Sequence, residues 1–243
     1  MPATRAPERP WHAHVGHSSA GIVSGDMKSA HLTEIEPVKI RGELSWHPIR
    51  RTLGIRAFGI NAYTANAGQE VIEAHNETGP GAGHHEEAYV VVAGRATFTV
   101  NGAEHDAPAG TILFLDDPTE DRGAVALEDG TTVLAVGGRT DAAFQPSPWE
   151  YVFSAIPAIE AEQWDKAKVR LLEGLEQHPG NGSLLYDLAC VEAQAGSRDD
   201  AMEHLAAAAE AWPKFRAQAA RDQDFASLRN DARFADIVSD AEK

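Results

Sequence analysis

Sixteen residues, Gly79-Pro-Gly-Ala-Gly-His-His-Glu-Glu-Ala-Tyr-Val-Val-Val-Ala-Gly94, constrain this chain more than any other stretch. A Gly/Pro loop runs into four ionisable side chains and then into an apolar strand. A strand sends alternate side chains to opposite faces. His85, Glu87, Tyr89 and Val91 therefore share one face, with His84, Glu86, Ala88 and Val90 on the other. A histidine and a carboxylate two residues apart on a strand can reach one cation, or one polar ligand, together. The glycines before them let the backbone turn sharply into that position.

From residue 38 onward, short alternating runs separated by turn residues read as antiparallel β. Strands are expected at Gly42–Pro48, Gly54–Thr64, Glu70–His75, Ala88–Ala93, Ala96–Asn101, Ala103–Ala107, Thr111–Leu115, Arg122–Ala126 and Thr131–Val136. Asn101-Gly102 is a hairpin signal, and Ala93-Gly94-Arg95 and Asp129-Gly130 are further turn candidates. Many short strands with tight turns suit a jelly-roll barrel, which limits open sheet edges by wrapping two sheets together.

Glu87, followed by six residues and Gly94, resembles the end of the first cupin motif; Gly102, five residues and then Pro108-Ala-Gly110 resemble the start of the second. The resemblance covers roughly residues 40–138 and implies a cupin-like β-barrel. The family's first two histidine ligands would fall within Gly81, Ala82 and Gly83, whereas here the pair is His84 and His85. Leu113 stands where the second motif has its histidine. Glu87 is the one ligand that carries over directly.

Two functions follow, of different kinds. In one, the barrel binds a small molecule or a divalent metal, with Tyr89, Tyr63, Asn61 and His84 around the ligand and the helical repeats described below making dimer or partner contacts. In the other, it is a metal-dependent enzyme of oxygenase or isomerase type. There His85 and Glu87, with His75 (or His84) as third ligand, hold Fe, Mn, Ni, Cu or Zn. The same His85–Glu87 pair could also serve as acid and base without metal. Arg50, Arg51 and Arg122 are expected as solvated or ion-paired surface groups, and His47 and His105 as surface or turn histidines.

Residues 139–149, with one glycine just before and two prolines within, read as a linker to an all-α domain at 150–243. There Ala167 recurs as Ala201, Leu171 as Leu205 and Pro179 as Pro213, each 34 residues apart. Residues Asn181–Pro213 form the clearest unit, with Leu188-Ala189 in a first helix, Gly196 in a turn, then Ala201, Leu205 and Ala208. This period resembles the tetratricopeptide repeat and implies either a groove for a protein partner or packing against the barrel. The expected whole is thus α+β in two domains: an arm at 1–37, partly disordered, a cupin-like barrel at 38–138, and TPR-like helices.

Charge narrows the partners. With 21 Lys+Arg against 37 Asp+Glu, the formal charge is −16, which disfavours nucleic acid and anionic membrane surfaces. The longest apolar run, Ala88–Ala93, is too short to span a bilayer, and residues 1–26 lack the apolar core of a secretory signal. Cys190 stands alone, so no intramolecular disulfide forms, and a cytoplasmic protein is expected. Trp11-His12-Ala-His14-Val-Gly-His17 is a weak metal signal within a mobile arm. The cupin resemblance implies a homodimer, against which a monomer by light scattering would count.

Overall fold

The computed structural model describes residues 28–40, 44–78 and 82–239; the His12/His14/His17 segment and the first part of the glycine-rich loop lie outside them. Among the described residues, ten strands form two antiparallel sheets. The larger has the order β1-β2-β3-β10-β5-β8 and the smaller β4-β9-β6-β7. Their ranges are β1 Val38–Ile40, β2 Leu44–His47, β3 Gly59–Ala65, β4 Glu70–His75, β5 Glu86–Ala93, β6 Arg95–Val100, β7 Ala103–Pro108, β8 Ile112–Leu115, β9 Arg122–Ala126 and β10 Thr131–Gly138. Alternation decides which side chains meet between them: Trp46, Tyr89, Val91 and Val133 from one sheet close on Val71, Phe98, Ala124 and Ala126 from the other. Removing that apolar surface from water holds the sandwich together.

Turn chemistry explains the connections. Asn101 and Gly102 both have positive φ (49° and 82°), as a two-residue hairpin between Val100 and Ala103 requires. Gly94, expected to make a turn of the same sort, instead carries the chain from the larger sheet to the smaller. Its φ is +70°, and an added Cβ would lie 2.5 Å from Thr131 Oγ1, so only glycine fits this corner. The long strand expected from Gly54 is shorter in the structure, because Ile49–Leu53 forms a single helical turn, α1, closed by Gly54 at φ +69°.

After the sheets, helices α2 Pro148–Glu160, α3 Trp164–Gln177, α4 Gly182–Gln194 and α5 Arg198–Ala211 follow, then α6 Lys214–Ala219, a 3-10 segment Gln223–Leu228 and α7 Ala232–Ser239. Pro148 does not break structure here. It occupies the first turn of α2 behind the Ser147 cap, where its missing N–H costs nothing. Short turns make α2/α3 and α4/α5 antiparallel pairs. Ala167, Leu171, Ala201 and Leu205 are all fully buried at the helix contacts. Phe215, Phe225, Leu228 and Phe234 cover the second pair. No helix among the described residues is long and apolar enough to cross a membrane.

Helix α2 is also part of the barrel's packing. Phe153 and Ile156 join the inter-sheet core, and Phe153 meets Trp46 edge-on at 5.6 Å. Beside it, Arg50 on α1 donates to Glu150 through Nε (2.9 and 2.8 Å) and Nη2 (2.5 Å). Both side chains are largely buried, 12% and 6% exposed, so Arg50 is not the surface group expected from sequence. Removing one partner of such a pair strands the other charge. Glu150→Ala is therefore expected to cost about 3–5 kcal/mol. Glu173→Ala, which frees the more exposed Arg51 from its 3.5 Å pair, should cost less than about 1 kcal/mol. Urea denaturation of both variants checks the contrast, and equal effects would contradict it.

Candidate functional site

A cavity of ≈ 390 Å³ lies inside the larger sheet's concave side. Its floor is polar and comes from the end of β4, the loop after it and the start of β5: His75, Glu77, His85, Glu87 and Tyr89. Alternation along β5 accounts for Glu87 and Tyr89, while His85 is placed by the loop just before the strand. Gly137, paired with Glu87 across the sheet, leaves space for the carboxylate; a Cβ there would lie 3.0 Å from Glu87 Cγ. The roof is aromatic. Trp46 belongs to the barrel, but Phe144, Trp149 and Phe153 come from the segment after β10 and from α2.

Glu77 organises the floor. Its Oε2 accepts the Gly83 N–H at 2.9 Å, and its backbone bonds Pro118 O (2.9 Å) and His84 N (3.0 Å). His75 Nε2 lies 3.5 Å from Glu77 Oε1 and 3.7 Å from Glu87 Oε2. Its other ring nitrogen is 2.7 Å from the Glu73 carbonyl. A carbonyl only accepts, so Nδ1 carries a proton and Nε2 is left facing the two carboxylates. Glu87 Oε2 accepts the Tyr89 hydroxyl at 2.5 Å.

Charge follows from this packing. Burial opposes protonation of His75, but the facing carboxylates of Glu77 and Glu87 and the Glu73 carbonyl outweigh it and raise its pKa to about 10. Burial likewise opposes ionisation of Glu77, yet His75, the Gly83 N–H and the His85 charge hold its carboxyl at about 2. Burial and the Glu87 charge push the Tyr89 hydroxyl well up, so it stays a donor.

The residues expected from sequence separate into three groups. His75 and Glu87 come together, and Asn61 and Tyr63 line the same cavity. His85 reaches the floor, but its Nδ1 faces Glu77 at 3.8 Å and its ring stacks toward Phe144 at 5.6 Å. It lies outside the tight group of donor atoms from His75, Glu77 and Glu87, which are all within 4.8 Å of one another. That ring folds over Gly83, where any Cβ would sit 2.1 Å from His85 Nε2. His84 does not enter the cavity. Its φ of 51° turns it outward, to a surface cleft beside Glu86, Asp116 and Arg139.

Two charged residues at the site, Glu77 and Arg122, were not expected there from the sequence, nor were the aromatic roof residues. Glu77 lies in a turn, where no periodicity marks its direction. Arg122 was expected at the surface but is 2% exposed. Alternation with the inward Ala124 and Ala126 could have placed it, since β9 pairs Arg122 opposite His75. Its Nη1 donates to Glu120 O at 2.9 Å, and its Nε lies 3.8 Å from Glu87 Oε2. Nε and Nη2 are buried without a hydrogen-bond partner, as is Asn61 Oδ1 in the cavity wall.

No family model matches the chain, and no curated protein is a significant match. Solved structures with a similar barrel include an RmlC-like cupin from Desulfovibrio desulfuricans, 28% identical over 34% of this chain and 73% of its own, TM-score 0.30. Another RmlC-like cupin, from Shewanella frigidimarina, is 20% identical over 46% and 91%, TM-score 0.37. A Cupin 2 conserved barrel domain protein from Salinispora arenicola is 18% identical over 48% and 92%, TM-score 0.39. Each likeness concerns the sheet region.

The His75–Glu77 pair gives a pH signature in metal-free protein. A raised histidine pKa contributes stability that is full below 6.5 and is lost as pH rises through about 10. A depressed carboxyl pKa contributes stability that is full above 4.5 and is lost as pH falls through about 2. Both are complete only between 4.5 and 6.5. The stability gap between wild type and His75→Asn, measured by urea denaturation, should be widest near the top of that window and close toward pH 10. A gap that stays constant over that range would contradict the pairing.

Proposed function

We propose that the sheet region is a cupin-type domain that binds a divalent first-row metal ion on His75, Glu77 and Glu87, beneath a cavity that admits a small organic ligand. One observation carries this: an imidazole nitrogen and two carboxylate oxygens converge within 4.8 Å at the floor of a half-open cavity. Ligand atoms about 2.0–2.2 Å from one ion stand no more than about 4.4 Å apart. The 3.5 and 3.7 Å separations from His75 Nε2 fit that limit. The engaged Nδ1 of His75 presents Nε2 outward, as a ligand histidine requires.

The donor set is harder than two histidines and one carboxylate would be, which favours Mn, Fe or Zn among first-row ions. An ion held there would supply Lewis-acid polarisation of an oxygen ligand. The chain's own groups do the rest. Tyr89 fixes the Glu87 carboxylate, the Gly83 N–H fixes Glu77, and Asn61 Oδ1 offers a buried acceptor to the ligand. The aromatic roof gives the space an apolar side opposite the polar floor.

For the helices, the same account takes α2–α5 as two repeats of tetratricopeptide type. The support is the equal burial of Ala167 and Ala201, and of Leu171 and Leu205, at a 34-residue spacing. The first repeat then serves the barrel, because α2 forms part of the cavity roof.

Metal content of untagged protein, by plasma mass spectrometry after loading with Mn, Fe or Zn, tests the site. Wild type should carry near one equivalent. His75→Ala, Glu77→Gln and Glu87→Gln should lose it, while Tyr89→Phe should bind about tenfold more weakly through the loosened Glu87. Failure of wild type to hold any of the three ions, or undiminished metal in the Glu77 variant, would overturn the proposal.

A further inference from the structure

Arg122 carries a charge that its surroundings only half answer. Its side chain is 0% exposed, yet Nε and Nη2 are both buried without a hydrogen-bond partner. Nη1 alone is engaged, donating to Glu120 O at 2.9 Å. In a guanidinium, Nε–H and one Nη2–H point off the same edge, and that edge can grip a carboxylate with both nitrogens at once. The protein uses it so elsewhere. Arg95 holds Asp106 through Nε and Nη2 at 2.6 Å each, and Arg139 holds Asp141 in the same way at 2.9 Å each. In Arg122 this edge makes no hydrogen bond, and leaving buried donors unmet is costly.

Few groups can reach that edge. Arg122 does not line the cavity, so a free ligand does not meet it. Its one ion-pair partner among the described residues is Glu87, whose Oε2 lies 3.8 Å from Nε. The same oxygen lies 3.7 Å from His75 Nε2, so Glu87 stands between two seats at nearly equal range. A movement of about 1 Å would bring it to charge-assisted bonding distance of Arg122. Gly137 leaves room for the shift: an added Cβ would lie 3.0 Å from Glu87 Cγ and 3.5 Å from its Oε1.

We propose that Arg122 is a positioning residue that gives Glu87 a second seat and so competes with the metal ion for it. This rests on the metal reading given above. Without an ion, Glu87 closes on the Nε/Nη2 edge; with an ion on His75 and Glu77, it is drawn off that edge. Arg122 lowers the centre's affinity in a second way, because its guanidinium keeps its charge. An ion bonded to Glu87 Oε2 would stand no more than about 6 Å from Arg122 Nε, close enough for strong repulsion in a buried space. An arginine that merely braced Glu87 would act in the opposite sense, since losing an outer support weakens metal binding. The sign of the effect separates the two roles.

Calorimetric titration of metal-free, full-length protein with Mn2+, Fe2+ (under anaerobic conditions) and Zn2+ reads that sign. For each ion that wild type holds, Arg122→Met should bind at least tenfold more tightly, opposite in direction to Tyr89→Phe. Crystals of wild type give a readout that survives a misfolded variant. An oxygen of Glu87 should lie within about 3.2 Å of Arg122 Nε or Nη2 in metal-free crystals, and beyond that distance in crystals grown with the ion. Equal or weaker binding by folded Arg122→Met would overturn the inference and leave the metal centre standing. So would a Glu87 that keeps one distance from Arg122 in both crystals. Wild type that holds none of the three ions would remove the metal centre, and this inference with it.

Discussion

The carboxylate of Glu77 is the contact on which the barrel's interior depends. It ties the loop after β4 to the start of β5 through the Gly83 N–H, and it faces both His75 and His85. Without it, His75 and His85 would lose the one carboxylate that both face. The loop must also pass very close to the His85 ring, which is why a residue without Cβ stands at position 83. Site geometry and loop sequence are therefore one constraint seen twice.

A second dependence runs between the two halves of the chain. The barrel is open on the side of its polar floor, and the residues that cover it belong to the segment after β10 and to α2. Phe144 stands over His85, Phe153 over Trp46, and the buried Arg50–Glu150 pair pins α2 in register. Such a pair adds little net stability compared with apolar packing, but it tolerates only one arrangement. The helices thus help define the size and the apolar character of the barrel's cavity.

Much of this was legible in the sequence, and the failures share a cause. Period-two alternation placed Glu87 and Tyr89 inward, and the Asn101-Gly102 hairpin and the 34-residue spacing of buried alanines and leucines were readable directly. His75 was legible too, because β4 ends on it. Glu77 was not, since a turn residue's direction is set by tertiary hydrogen bonds. His84 misled for the same reason: alternation does not extend back through a residue at positive φ. Arg122 shows a prejudice about residue type prevailing over a readable pattern, for it lies on the same strand face as Ala124 and Ala126. The roof residues, Phe144 and Trp149, gave no local signal, because their role depends on how a helix docks on strands far from it in the chain.

The central claim is that His75, Glu77 and Glu87 form one metal centre inside the barrel. Anomalous diffraction from crystals grown with Mn2+ addresses it directly. The account predicts an anomalous peak within bonding distance of His75 Nε2 and of both carboxylates, roofed by Phe144. Crystals that show no peak in the barrel, or a peak only beside Cys190, Asp222 and Asp224, would contradict it.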